Sequence, residues 1–326
     1  MKRIHLSTTI GLVLLLTGYL FFYFGFSLVM ALLSIVAYFA AMKDVSKYTS
    51  VYQFAVVFAA ALSLGFAIDY PYTAPPLLTL SIFLSACCSL TRIMFFRSFG
   101  YTGHIWFEPM MFTLTLVTYV GGDIVSDHEW QEWVLPLPNL VFAGILAYGI
   151  LKDKRQLLAS TKGGYKVEIG KEATDFELPD QDGNLVHLSD YKGKRHVLLV
   201  FVRGDWCPGC HMMLRTYEKN REKFQEKNVL VMAIGPDPVG VNREMVGKLG
   251  LDYKVLSDEG QKTAMIYGVQ ISEYDNAFAE KYEEGIPLPA SFLVDIKGVV
   301  RYVSRPDKVG EFLNPSLIFP ILDKLN

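Results

Sequence analysis

Two cysteines separated by two residues, in Trp206-Cys207-Pro208-Gly209-Cys210, are the side chains of this 326-residue sequence best placed to do chemistry. A Cys-X-X-Cys pair can carry two electrons by cycling between dithiol and disulfide, provided one sulfur is held as a thiolate. The flanking residues supply that condition. Val197-Leu198-Leu199-Val200-Phe201-Val202 is a continuous apolar run, as expected of a strand covered on both faces, and a helix is predicted from Pro208 to about Glu226. Cys207 then occupies the helix N-cap, where unpaired N–H groups and the macrodipole favour a thiolate. Pro208 suits the first helical turn, where its missing N–H costs nothing. Cys210 follows three residues later, almost one turn on, within reach of Cys207. The spacing predicts Cys207 as the exposed nucleophile and Cys210 as the more buried resolving thiol.

Three other readings of the pair carry less. A zinc site calls for a second Cys or His pair at ligand spacing, and the sequence has none. His211 completes a formal match to the c-type haem attachment pattern, but that chemistry prefers a loop beside a roomy apolar pocket over a strand–helix junction. Two inert buried cysteines are the remaining alternative. Dithiol exchange needs no bound metal or organic cofactor, and none is expected.

The elements that must hold the pair alternate along the second half of the chain. Phe176-Glu177-Leu178 and Leu185-Val186-His187-Leu188 flank an Asp182-Gly183 turn signal and predict a hairpin. Strands are predicted over 197–202, 229–234 and 253–256, with helices over 241–249 and 261–267. A strand pair, 291–294 and 299–303, turns at Lys297-Gly298, and a last helix covers about 315–325. This order indicates an α/β layer fold with a mixed sheet.

The first half is a different polymer. Overall the chain is 51% hydrophobic and 20% charged, but residues 1–160 hold 9 of the Lys and Arg and 8 of the Asp and Glu. From Leu6 to Met42 there are 37 residues with no charge and no histidine. As one helix that run would be about 55 Å long against a hydrocarbon core of about 30 Å, so two spans turning near Gly25 fit better. The run is also too long for a signal-peptide core, and no A-x-A-like site ends it. Further spans are predicted near 49–68, 76–96, 103–122 and 134–151, giving an all-α transmembrane bundle of about six over residues 1–156. A polar linker over 157–166 leads to a redox domain over 167–326. Arg92 and Glu108, one in each of two neighbouring spans, could pair at similar depth, or snorkel separately. Cys87 and Cys88 are better read as small packing residues than as an electron relay.

Lysine and arginine set the orientation. They occur before the first span, after the predicted hairpin, at Arg97 and after the last span, whereas the loops near 69–75 and 123–132 contain none. This alternation predicts a multi-pass protein of a bacterial cytoplasmic membrane, with the lipid bilayer as a partner and the redox domain facing the cytoplasm. The net charge of −2 leaves no basic footprint, so nucleic acid is not an expected partner.

Residues 167–326 resemble the redoxin branch of the thioredoxin-like superfamily. That branch includes the alkyl hydroperoxide reductase/thiol-specific antioxidant proteins and membrane-associated thiol–disulfide reductases. The resemblance is carried by 170–178 (GKEATDFEL), Trp206-Cys207-Pro208-Gly209-Cys210, Ser257-Asp258-Glu259-Gly260 and 289–295 (PASFLVD). It implies a thioredoxin fold, a disulfide-bearing protein or a peroxide as substrate, and an external dithiol as reductant. It also implies that Pro289 is a cis-proline facing the dithiol, where its turn would expose backbone to an extended substrate. Peroxiredoxins carry Thr or Ser three residues before the attacking cysteine and Pro seven before it; here Gly204 and Val200 stand there, and the usual later arginine is missing. Arg203 is the evident substitute, as a thiolate or peroxide partner, unless it is a solvated strand-end charge. Membrane-anchored thiol–disulfide exchange is therefore expected ahead of peroxidase activity, with a non-turnover redox sensor as a third reading.

Overall fold

A computed structural model describes residues 6–43, 76–94, 104–125, 137–160, 164–274, 280–304 and 314–325, with scattered positions between 48 and 63. The chain divides into two compact units, one of Met1–Phe96 with His104–Lys152, the other of Arg97–Gly103 with Asp153–Asn326.

The first unit is helical. α1 (Leu6–Tyr23) and α2 (Ser27–Met42) form the predicted hairpin, turning at Gly25, whose φ of +96° suits glycine. Thr8, Gly11, Leu15 and Gly18 form the buried stripe of α1, spaced three and four residues apart, and Ala37 and Ala41 lie on the inner side of α2. A Cβ on Gly11 would sit 3.1 Å from the carbonyl oxygen of Ala37, so small residues let these backbones approach. Most bulky apolar side chains point outward instead, with Leu16 and Phe39 62% and 67% exposed. α3 (Pro76–Met94) packs on α4 (Phe107–Val125), and α5 spans Leu137–Ser160. Cys88 is buried, its thiol directed at the carbonyls of Glu108 (3.5 Å) and Ala143 (3.9 Å), in keeping with a packing role. Glu108 is buried too, while the Arg92 side chain and most of the span predicted over 49–68 lie outside the described residues. Among the described residues one helix, α1, is long and apolar enough to cross a membrane, where about six were predicted; α2 is apolar but shorter. Charged residues interrupt two of the others: Glu108 and Asp123 in α4, and Lys152 to Arg155 in α5.

The second unit is the predicted α/β layer structure. β1 (Glu177–Pro179) and β2 (Leu185–His187) form a small antiparallel ladder across Gly183. Then come β3 (His196–Phe201), α6 (Pro208–Lys219), α7 (Arg221–Glu226), β4 (Val229–Gly235), α8 (Val239–Leu249), β5 (Lys254–Ser257) and α9 (Lys262–Tyr267). β6 (Gln270–Ile271) pairs with β7 (Ile286–Pro287), a ladder too short to signal itself in the sequence. β8 (Ala290–Val294) and β9 (Val300–Val303) close the domain. The central sheet runs β5-β4-β3-β8-β9, with β3, β4 and β5 parallel and β8 and β9 antiparallel to their neighbours. β3 lies in the middle and every residue in it is buried, which explains its unbroken apolar run.

Two predicted helices are broken. The helix expected over 208–226 divides at Asn220, which leaves helical geometry (φ −104°, ψ 9°) while its side-chain amide donates to the carbonyl of Thr216. The last helix is a 3₁₀ turn, Pro315–Leu317, followed by the short α10 (Phe319–Leu322), because Pro315 and Pro320 can each sit only in a first turn. Residues 157–160 of the predicted linker are helical as well. α5 continues to Ser160, and Leu157 is fully buried in one cluster with Phe176, Leu178, Val186 and Phe201.

Candidate active site

β3 ends at Phe201, and the chain turns through Val202-Arg203-Gly204-Asp205-Trp206 to the N-terminus of α6. Cys207 is the N-cap, in extended geometry (φ −84°, ψ 105°), and its sulfur accepts from the backbone N–H of Cys210 at 3.2 Å. Pro208 occupies the first helical turn, as its lack of an N–H requires. The Cys210 thiol donates to the Cys207 sulfur across 2.6 Å, and both cysteines are free thiols. The backbone N–H of Arg203 points at the Cys210 sulfur at 3.4 Å.

The two sulfurs are electrostatically unequal. Burial opposes ionisation of Cys207, but the hydrogen bond from Cys210 and the charge of Arg203 outweigh it and bring the thiol down to about 6. Cys210 is driven well above the ordinary thiol range by burial, by its bond to Cys207 and by the Cys207 charge. These directions suit Cys207 to attack and Cys210 to resolve.

Exposure differs from the expectation. Cys207 is fully buried and Cys210 nearly so, at 0% and 2%. The cover is Arg203, which bonds the Cys207 sulfur and is itself 4% exposed. One terminal nitrogen of its guanidinium donates to Asp153 Oδ1 at 3.1 Å and to the hydroxyl of Tyr274 at 2.5 Å. The guanidinium carbon lies 5.0 Å from the ring centroid of Trp206 and 5.6 Å from that of Tyr274. Trp206 is fixed in turn by donating its indole N–H to the carbonyl of Arg203 at 3.1 Å. Arg203 is therefore no solvated strand-end charge: it is a buried cation held against the thiol.

Gly204 explains the missing hydroxyl residue. Its φ is +126°, and a Cβ placed there would lie 2.2 Å from the hydroxyl oxygen of Tyr282. That hydroxyl donates to Asp237 Oδ1 at 2.7 Å. Asp237 also accepts from Lys281 (3.1 Å) and from the backbone N–H of Asp205 (2.6 Å), while Lys281 reaches Asp205 Oδ1 at 2.9 Å. A threonine or serine at 204 has neither the backbone conformation nor the room. Val200 lies within β3, opposite Ser291 on β8.

Pro289 is buried at the entry to β8, two positions past β7. No cis peptide bond occurs among the described residues, so the cis geometry implied for Pro289 is corrected to trans. The segment runs from one short strand into the next, and without a tight turn the trans form is the favoured one. Asp153, Tyr274, Tyr282 and Asp237 were not singled out by the sequence. Asp153 and Tyr274 lie 50 and 71 residues from Arg203, and no local spacing links them.

The chain is similar to several known proteins. The sequence profile of the AhpC/TSA family matches residues 169–303. Peroxiredoxin Q from the chloroplast of Oryza sativa is 32% identical over 169 residues, which cover 49% of this chain and 73% of that one. The chain belongs to the AhpC/TSA family. Another relative, the thiol-disulfide oxidoreductase ResA of Bacillus anthracis, is 35% identical over 136 residues, covering 41% of this chain and 68% of that protein. The crystal structure of peroxidoxin BcpB from Mycobacterium tuberculosis aligns over 49% of this chain and 99% of its own, with a TM-score of 0.44 and 23% identity. As an AhpC/TSA protein with a thioredoxin-like C-terminal domain, the chain is an oxidoreductase working through thiols.

Proposed function

We propose that this AhpC/TSA protein is a membrane-anchored thiol–disulfide oxidoreductase that reduces disulfides of protein substrates through Cys207 and Cys210. The observation that carries the reading is the dithiol itself, a low-pKa N-cap thiol with its partner thiol 2.6 Å away. In the forward reaction the Cys207 thiolate attacks one sulfur of the substrate disulfide. A mixed disulfide forms, and the other substrate sulfur leaves as a thiolate that takes up a proton. Cys210 then loses its proton and attacks Cys207, freeing the second substrate thiol and leaving a Cys207–Cys210 disulfide. Two electrons have passed to the substrate, and an external dithiol restores them.

Gly204 sets the preference between disulfide and peroxide. Peroxide cleavage needs donors aimed at the leaving oxygen, and the hydroxyl nearest Gly204, that of Tyr282, is committed to Asp237. One observation favours the second reading, a thiol peroxidase: Arg203 is a buried donor beside Cys207. Side-by-side kinetics on the purified full chain decide between them. We expect turnover on a model protein disulfide, and a second-order rate constant with hydrogen peroxide close to that of a free thiol. A peroxide rate several orders of magnitude higher would replace this reading with the peroxidase. A single stoichiometric oxidation without turnover would replace both with a redox sensor.

Anchoring in a bilayer is supported by the packing of α1 and α2, with mostly small residues inside and most bulky apolar ones outside, which suits a lipid surround. The proposed arrangement is a multi-pass protein of a bacterial cytoplasmic membrane. Both termini are inside, and a reducing thiol pool keeps the pair reduced. A cytoplasm-dependent fluorescent reporter fused at Asn326 should be active there, and alkaline phosphatase silent. The opposite pattern would reverse the orientation.

A further inference from the structure

We propose that Asp153 is a positioning residue of the dithiol: from the end of α5 it fixes Arg203 beside Cys207 and, once ionised, draws guanidinium charge away from the thiolate. The inference rests on the reading of Cys207 as the nucleophile. Arg203 is one buried cation facing two groups that can become anions, the Cys207 thiol and the Asp153 carboxyl. Donation by one guanidinium nitrogen to both Asp153 and Tyr274 sets the plane of the fork, and the Trp206 and Tyr274 rings flank it. Asp153 is built into this place. Leu157, one turn further along α5, is fully buried in the domain's core cluster, and neighbouring Lys154 is 1% exposed, so the carboxyl has little freedom to swing away.

The two acids are coupled, since the charge of one acts on the other. Burial, and then the negative charge of Cys207, push Asp153 up to about 7, with Lys154 offsetting part of the rise. A lowered Cys207 and a raised Asp153 set the order of the proposed titration, thiol before carboxyl. The other titratable or charged groups around the pair are Cys210 and His211 on α6, Tyr274 on Arg203, and Tyr282 with Asp205, Asp237 and Lys281 on the side of Cys210. Cys210 and Tyr282 are both pushed upward, away from this range, by burial first of all.

The experiment is the rate of Cys207 alkylation by iodoacetamide against pH, on the reduced full chain in detergent, with each cysteine resolved by peptide mass spectrometry. The parent should rise once near pH 6, as the thiolate forms, and again near pH 7. In the second step the thiolate loses hold of Arg203 and becomes more nucleophilic, by about threefold for one unit of added basicity. Asp153→Asn keeps an oxygen for Arg203 but cannot ionise, and should show the first rise alone; Asp153→Glu should keep both. If Asp153→Asn weakens the fold, Asp153→Ser is expected to behave the same way. A parent profile with one rise, or a second rise that survives in a folded Asn or Ser variant, overturns the proposal. Alkylation needs no turnover. Loss of the second rise in a protein that reduces no disulfide would uphold the role of Asp153 and sink the functional reading, and the reverse result would do the reverse.

Discussion

Cys207→Ser is expected to reduce turnover on any disulfide or peroxide substrate to background, at least about a thousandfold below the parent. A serine hydroxyl at the same N-cap keeps the helix start and even improves the cap, so stability should change little. The loss is chemical, because at neutral pH the hydroxyl supplies almost no anion where the thiol at about 6 is mostly ionised. Cys210→Ser should differ in kind. The first attack still occurs, but the adduct on Cys207 has no neighbour to resolve it, so one equivalent of substrate is bound and turnover stops. Steady-state assays with an external dithiol, run beside denaturant melts of the same variants, separate the two. Retention of more than a few per cent of activity by Cys207→Ser would move the nucleophile elsewhere.

Gly204→Thr, which restores the residue type peroxiredoxins use, is expected to damage the fold rather than create a peroxidase. The positive φ of Gly204 places any side chain in a backbone region that L-residues rarely adopt, and the Cβ would meet the Tyr282 hydroxyl. Backbone strain and overpacking together cost about 2–5 kcal/mol. Chemical denaturation of the full chain should register that loss, with no gain in peroxide rate. Gly204→Ala should lose less, and part of its loss should be relieved when Tyr282→Phe removes the hydroxyl. The two changes are therefore expected to be non-additive in a double-mutant cycle. A stable Gly204→Thr variant with a raised peroxide rate would mean that the loop can adopt the peroxiredoxin geometry.

What could be read in the sequence was local. The apolar run 197–202 announced a strand buried on both faces, and Cys207, Pro208 and Cys210 follow it at spacings that suit a strand-to-helix turn. The sheet order was legible as far as alternation goes, since strand, helix, strand forces parallel neighbours and the Lys297-Gly298 turn forces an antiparallel one. The cover of the site was not legible. Arg203 is a single charge in the sequence; its burial depends on Asp153 and Tyr274, brought to it only when α5 and the segment after β6 pack. Gly204 could be noticed as a departure from the peroxiredoxin pattern, but its reason, the Tyr282 hydroxyl, lies 78 positions away. The helix break at Asn220 follows from a side chain competing for a backbone carbonyl, which composition alone weighs poorly. The trans peptide before Pro289 departs from a rule carried over from relatives rather than read from these residues.

The central claim, that Cys207 attacks a disulfide and Cys210 resolves the product, is tested most directly by trapping. Full-length Cys210→Ser is mixed with an oxidised protein substrate, quenched with acid and mapped by non-reducing peptide mass spectrometry. We expect a substrate peptide disulfide-bonded to Cys207, formed within the first turnover and released by added dithiol. Failure to form that adduct, in a variant whose Cys207 is readily converted to a sulfenic acid by hydrogen peroxide, would contradict the claim and identify the site as a peroxidase.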